Sequence, residues 1–512
     1  MSLLEEGTLV IGSGPILLSL AESWYEFGLS KLTVYVTSKE PIDTGKLKEF
    51  CEHAYGREAE TSLKIIAAAR DEDLNWRAIV RPFQFILYVS EHGGLDELLK
   101  LQNACIAERR QMLPGILVRG MGMAGPLLNC DGNGRWESAW RRIHSSVFPE
   151  SRCEKGLSVA AAGLLSNLLV HEWHKAITAE NDAYSWNHCF LLDPVTLTGG
   201  WHQVLPHPLV FGYEAARPVE NIERHFGDNN ERANPQKWFS ALNQLTSTIT
   251  GIFHAWEEAD LIQLPLAQCL VQPVDLLSEE PAPLLPVIIR SGLTHEEARR
   301  ESGLAGLEAY AARMIPLMFS WLPSHQQQEI NIGAGCDLAE AVGRGFRACL
   351  AKEFGKRTLS HEPTVLRIAC TQIKDVRCQY YLQALSIIEG EPVIAVGEPL
   401  LGFPVVWVNR GSSWYVSADL SFTLALRQSL QKALDQREAA SISAVTWRNN
   451  EWQETPVPDS GSLDYGSLMQ SAVRTLKQHH KRLEVFNMPS KSLWGKSPFE
   501  IYGVSLEEGG VY

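Results

Sequence analysis

A glycine turn, Gly12-Ser13-Gly14, follows a short apolar run and precedes a longer amphipathic one. In that setting glycines let the backbone approach a pyrophosphate and aim the first N–H groups of a helix at it. A complete dinucleotide fingerprint continues to a third glycine and ends the next strand on an acid that binds ribose hydroxyls. Here Leu17 holds the third place and the strand end reads Val36-Thr37-Ser38. Glu40 and Asp43 follow, and serve only through a shifted loop. Two readings stand: a vestigial nucleotide loop made by Gly12, Ser13 and Gly14, or a tight strand-to-helix turn with no ligand.

Other reactive side chains are scattered. The ten cysteines contain no CxxC pair, which points to reduced thiols, mostly buried, in the cytoplasm. His295-Glu296-Glu297-Ala298-Arg299 lacks the second histidine one turn on that a zinc protease needs. Thr294 before it is a helix cap, and Glu296 and Glu297 suit the positive end of a helix dipole.

The elements that would position these residues follow from periodicity. Val10–Ile11 close a first strand, Pro15–Phe27 form a helix stopped at Gly28, and Leu32–Val36 is a second strand. Gly45–Tyr55 reads as helix, and Ser62–Ala69 as strand or helix. Phe83–Val89 is a buried strand, Leu95–Arg110 a helix and Met112–Val118 another strand. This alternation predicts an α/β domain with a mostly parallel, Rossmann-type sheet. Further on, Trp136–His144 and Lys155–Ala179 read as helices, Cys189–Leu192 and Val195–Leu197 as short strands, and Pro235–Ala259 as helix. The stretch 278–286 reads as a hinge or surface crossing.

Two similar blocks come next, 287–315 and 330–354. Each is a short strand, a glycine-containing turn and an Ala- and Glu-rich helix, capped by Thr294 in one and Asp337 in the other. Residues 364–434 read as α+β. The end of the chain reads as a basic helix, Met469–Leu483, and a loose tail. The division expected is 1–262 for the sheet domain and 263–512 for an α+β C-terminal domain.

Composition bounds the function. The net charge is −14, which opposes nucleic acid as the main ligand, because phosphate binding needs clustered Lys and Arg. The most apolar run, Val159–Val170, is too short to span a bilayer, so no membrane partner is expected. The acidic N-terminus is no secretory signal.

The stretches VIGSGPILLSLAESWYEFGLSKLTVYVTS and FILYVSEHGGLDELLKLQNACIAERRQMLPGILVRGMGMAGPLLN resemble the ThiF and ubiquitin-activating superfamily. GSGPILLSL, WESAWRRIH, LPHPLV, QLPLAQC and GLTHEEARRESGLAGLEAY resemble more closely the ThiF-like proteins of thiazole-containing bacteriocin maturation. The resemblance covers nearly the whole chain. It implies a protein that binds the leader of a ribosomal precursor peptide and recruits a YcaO-type cyclodehydratase, without doing the ATP chemistry itself. An adenylating ThiF relative holds ATP and Mg²⁺ with acids where this chain has Val36-Thr37-Ser38 and Tyr88-Val89-Ser90-Glu91, so only Glu91 would serve as a ligand.

Further implications attach to the same resemblance. Related cyclodehydratase partners carry two CxxC pairs for zinc. Here Cys130, Cys153, Cys189 and His207 are the groups available, with no short pair to anchor a site, and no metal is expected. Glu308–Arg313 and the helix after Gly335 are similar to nucleotide-contacting helices of the YcaO fold. The acids expected there fall on Ala311 or Ala312, Ala348 and Ala351. The C-terminal domain is thus read either as a degenerate YcaO-like fold without its ATP-site acids or as an ordinary α+β domain. Longer members of the bacteriocin-maturation family begin with a winged-helix leader-recognition domain. This chain starts a few residues before its first core strand, so that domain is expected on a separate polypeptide, before a mis-assigned start, or replaced by another surface.

The expected function is therefore a maturation protein for a thiazole- or oxazole-modified peptide. Its expected partners are a precursor peptide and a YcaO cyclodehydratase; a homodimer is allowed. No catalytic residue and no cofactor are assigned. The alternative is an ATP-dependent adenylating or cyclodehydrating enzyme using Gly12, Ser13, Gly14, Glu40 and Glu91. A nicotinamide or flavin oxidoreductase built on the same turn is a third class. Trp136, Trp140, Trp201 and Trp256 are the candidate exposed anchors for a partner.

Overall fold

A computed structural model describes residues 5, 7–37, 43–55, 61–67, 75–91, 95–148, 157–178, 186–226, 235–358, 363–435, 445–448, 452–460 and 464–508. The chain is mixed α/β and divides into two units. The first is 1–212 with 248–251 and 278–284, and the second is 213–247, 252–277 and 285–512. The segment 278–284 returns to the first unit, where Ala282 N donates to Ile143 O and Ser145 N to Ala282 O.

The first unit is built on one eight-stranded sheet. Its strands are β1 (Thr8–Gly12), β2 (Lys31–Val36), β3 (Ser62–Ala67), β4 (Phe85–Ser90), β5 (Gln111–Val118), β6 (Met121–Ala124), β7 (His188–Leu192) and β8 (Gly199–Gln203). They lie in the order β3-β2-β1-β4-β5-β6-β7-β8. Strands β1 to β5 pair parallel, and β6 to β8 continue antiparallel. Every residue of β1 and β4 is buried, as a sheet covered on both faces requires. One face carries the helices Gly14–Glu26 and Val159–Ile177, joined by the rings of Trp24 and Trp173 at 4.4 Å. The other carries Leu95–Glu108 and Trp136–Arg142. The segment expected as the strand Val195–Leu197 is a turn, because Asp193 Oδ1 accepts from Val195 N and Thr196 N.

The second unit holds three further sheets. A three-stranded antiparallel sheet joins Phe253–Glu257, Ala267–Pro273 and Ile288–Gly292. The helix expected over Pro235–Ala259 therefore ends at Leu245 and gives way to a strand. A four-stranded sheet has Glu500–Glu508 between Asn331–Gly335 and Lys481–Met488. The expected loose tail is thus an interior strand, and the expected basic helix is Tyr465–Gln478 followed by the strand Lys481–Met488. A six-stranded sheet is formed by Ser413–Ala418, Val405–Arg410, Val393–Gly397 and Thr364–Thr371, with Thr446–Trp447 and Gln453–Pro456 on the outer side of Thr364–Thr371.

The two similar blocks are related in detail. Gly292 and Gly335 each end a strand and each lie hard on the first turn of the next helix. A Cβ at Gly292 would stand 2.7 Å from Ala298 N, and one at Gly335 2.6 Å from Ala341 N. Thr294 Oγ1 accepts from Glu297 N, and Asp337 Oδ1 from Glu340 N. Glu297 reaches back to Leu293 N as Glu340 reaches back to Cys336 N. Both are reciprocal caps of the capping-box type, so His295 and its neighbours serve a helix start. Among the described residues no helix is long and apolar enough to cross a membrane.

Candidate functional site

The chain order reverses direction across the sheet between β1 and β4, where ligands of open α/β sheets bind at the carboxyl ends of the strands. Gly12-Ser13-Gly14 ends β1 there, and Ser90 and Glu91 end β4. Gly12 pairs with Val89, and a Cβ at Gly12 would meet Val89 O at 2.4 Å and Val89 Cγ2 at 2.7 Å. Strand packing alone thus requires a glycine at this position. Gly14 has φ +73°, a left-handed value that favours glycine. Gly12, Ser13 and Gly14 are all buried, as are Thr37, Ser90 and Glu91.

The remaining nucleotide elements are taken up by structure. Leu17 is fully buried in the core under the sheet, where the third glycine would bring helix and strand together. Thr37 N donates to Gly12 O at 3.0 Å, closing the end of β2 onto the turn. Asp43 Oδ1 accepts from Gly45 N and Lys46 N, so it caps the helix Thr44–Tyr55. Ser38 and Glu40 lie outside the described residues. The described part of the turn explains its glycines without a phosphate.

The zinc candidates among the described residues do not assemble. Cys189 is fully buried in β7, and burial pushes its thiol up to about 12, against the thiolate zinc needs. Cys130 is exposed. His207 Nδ1 accepts from Leu209 N, while the His207 backbone N–H donates to Ser138 Oγ. Cys153 lies outside the described residues. Among the described residues no group of three His, Cys, Asp or Glu side chains is placed to hold a metal ion.

Of the four tryptophans expected as exposed anchors, three are core residues. Trp136 and Trp140 are buried and stack at 5.3 Å. Trp256 is buried, with its Nε1 donating to Arg299 O and Ser302 Oγ. Trp201, on the edge strand β8, is exposed.

The second unit holds a charge cluster that sequence reasoning missed. Glu301 and Glu308 stand two turns apart on one face of the helix His295–Ala312. Arg344, on the helix Leu338–Thr358, enters between them. Its Nε donates to Glu308 Oε1 at 2.6 Å, its Nη2 to Glu308 Oε2 at 3.3 Å and its Nη1 to Glu301 Oε2 at 2.5 Å. Glu308 Oε1 also accepts from Ala334 N. Arg300 binds Glu340 at 2.6 Å, and Arg347 binds the fully buried Asp419 at 2.7 Å. Burial would raise the Glu301 carboxyl, but the Arg344 guanidinium, with Arg300 and Arg347 behind it, holds it down to about 2. Two carboxylates on one helix face offer oxygen ligands of the kind that divalent cations take; here one guanidinium supplies the positive charge.

Arg344 and both of its acids lie within the two helices that the sequence likened to nucleotide-contacting ones. Of the positions where acids were expected, Ala311 is fully buried and Ala351 is exposed. The signal for the cluster was present in Glu301, Glu308 and Arg344, but each reads alone as an ordinary helix-surface charge.

The sequence matches no protein-family model and no curated protein. Solved structures share its fold. One is described as a heterocyclase in complex with substrate and cofactor: 12% identity, 98% of this chain and 81% of that chain covered, TM-score 0.58. Another is the heterocyclase TruD: 14% identity, 100% and 80% covered, TM-score 0.52. At these identities the likeness is one of fold, and it runs through both units.

Proposed function

We propose that this chain is a maturation protein for a thiazole- or oxazole-modified ribosomal peptide, which binds the precursor and recruits and activates a YcaO-type cyclodehydratase. The fold supports the setting, since it follows chains described as heterocyclases over nearly its full length. The observation that carries the partner role is Arg344 lodged between Glu301 and Glu308. A guanidinium seated there neutralises two carboxylates that would otherwise be free to hold a divalent cation. The buried glycine turn supports the same reading in the first unit.

Such a protein acts by holding peptide and enzyme together. Binding both converts an encounter in solution into a nearly intramolecular one and raises the effective concentration of the peptide at the enzyme. The test is co-elution. The full chain mixed with a YcaO-type cyclodehydratase and its precursor peptide migrates as one complex on size exclusion. Separate elution of all three components contradicts the proposal.

A second reading has one observation in its favour: the likeness to a chain described as a heterocyclase bound to substrate and cofactor spans both units. In that reading the chain is itself an ATP-dependent adenylating or cyclodehydrating enzyme. Calorimetric titration with Mg-ATP separates the two, and micromolar binding by the isolated chain favours the enzyme.

A further inference from the structure

The guanidinium of Arg367 makes cation–π contacts with two indoles. Its Cζ is 4.8 Å from the ring centroid of Trp447 and 4.6 Å from that of Trp452. Sheet register explains both contacts. Thr364–Thr371 pairs parallel with Thr446–Trp447 and with Gln453–Pro456, setting Val365 beside Trp447 and Ile368 beside Gln453. Side chains alternate along a strand, so Arg367 shares the face of Val365 and Trp447, and Trp452 falls on that face too. The aromatic row continues inward through Trp414, 6.0 Å from Trp447, to Trp407. It begins in the core and ends at the surface, where Trp447 is 37% and Trp452 57% exposed.

These contacts leave a cation unanswered. Arg367 Nε is buried with no hydrogen-bond partner, and no carboxylate pairs with Arg367 or with the neighbouring exposed Arg448 among the described residues. Acids are not scarce: the chain carries 60 Asp and Glu against 46 Lys and Arg. A cation–π contact attracts the guanidinium to a ring yet leaves its N–H groups without an acceptor. What remains is the planar edge of terminal N–H donors, whose spacing matches two carboxylate oxygens.

We propose that the Trp447–Arg367–Trp452 cluster is a recognition site for the carboxylate side chain of an acidic, extended peptide. Charge complementarity selects the acid. The exposed indoles supply apolar area beside it. Gln453–Pro456 pairs only with Thr364–Thr371 among the described residues, so its outer backbone edge is open to an added strand. A nucleic-acid phosphate fits less well, because one arginine on a chain of net charge −14 makes no phosphate track. An acidic peptide bound here need not be the one that is heterocyclised, so the site stands or falls apart from the maturation role.

The experiment is fluorescence anisotropy on the full chain with a labelled decapeptide of alternating Glu and Leu, its Gln counterpart, and a labelled single-stranded oligonucleotide. The Glu peptide should bind about tenfold or more tightly than the Gln peptide, as expected for a charge-assisted pair. R367A should abolish that difference. R367K, which keeps the charge but loses the planar fork, should lose most of it. W452A, at the exposed end of the row, should weaken the Glu peptide several-fold, and it carries the test should R367A fail to fold by circular dichroism. Equal binding of the two peptides, a folded R367A that keeps the Glu-over-Gln difference, undiminished Glu-peptide binding by W452A, or tighter Arg367-dependent binding of the oligonucleotide would each overturn the proposal.

Discussion

Arg344 lies side-on against Glu308, its Nε 2.6 Å from Oε1 and its Nη2 3.3 Å from Oε2. The pair ties the helix Leu338–Thr358 to the helix His295–Ala312, and Arg344 is mostly buried. Its planar fork satisfies both oxygens of one carboxylate and still reaches Glu301. A divalent ion in that place would be exchangeable, whereas a guanidinium is fixed to the fold.

Replacing Arg344 with Met therefore removes the guanidinium that two partly buried carboxylates share, leaving Glu301 only the longer pair with Arg300 at 3.8 Å and Glu308 only the Ala334 N–H. R344M should lose about 3 kcal/mol of unfolding free energy, read from the urea midpoint at constant slope. The same variant should regain part of that stability in millimolar Mg²⁺ or Mn²⁺, while the parent protein is indifferent to either ion.

Acid sensitivity follows from Glu301. Its folded carboxyl sits near 2, below the ordinary value of 4.5, so the folded state favours the ionised form. The stability it contributes is fully present above about 4.5 and is lost as pH falls toward 2. With allowance for partial exposure that amounts to about 1–2 kcal/mol. E301Q should flatten this limb of the stability-against-pH curve and leave the neutral limb parallel to that of the parent.

Gly12 gives a prediction that separates packing from ligand binding. A methyl group there would collide with the Val89 carbonyl at 2.4 Å, a backbone atom that cannot swing aside. G12A should lose about 2–3 kcal/mol with no nucleotide present. A fully stable G12A would show that the close approach of β1 and β4 is not what requires the glycine.

The two capped helices should respond alike. T294A and D337A each remove a side-chain acceptor from the first turn and should each cost about 1 kcal/mol. Thermal melts of the two variants check this.

Much of the first unit was legible because its elements are local. Buried β1, the glycine turn and the helix Gly14–Glu26 announce themselves in composition, and so do the caps Thr294 and Asp337. What stayed hidden depends on partners distant in sequence. Trp136 and Trp140 look like surface anchors until their stacking in the core is seen. Glu500–Glu508 looks like a tail because nothing near it in sequence shows that it pairs on both sides. Arg344 and Glu308 come from different helices, and charge on each helix reads as solvated face. Pro235–Ala259 keeps an apolar pattern that suits either a helix or a strand, and only the pairing of Phe253–Glu257 with Ala267–Pro273 decides its second half.

The central claim, that this chain serves heterocycle formation without catalysing it, is tested most directly by the mass of the precursor peptide after incubation with Mg-ATP. Four mixtures suffice: the chain alone, the YcaO enzyme alone, both, and neither. The account predicts loss of one water per ring only where both proteins are present, or far faster there than with the enzyme alone. Dehydration by the chain alone, or an enzyme whose rate ignores the chain, would contradict it.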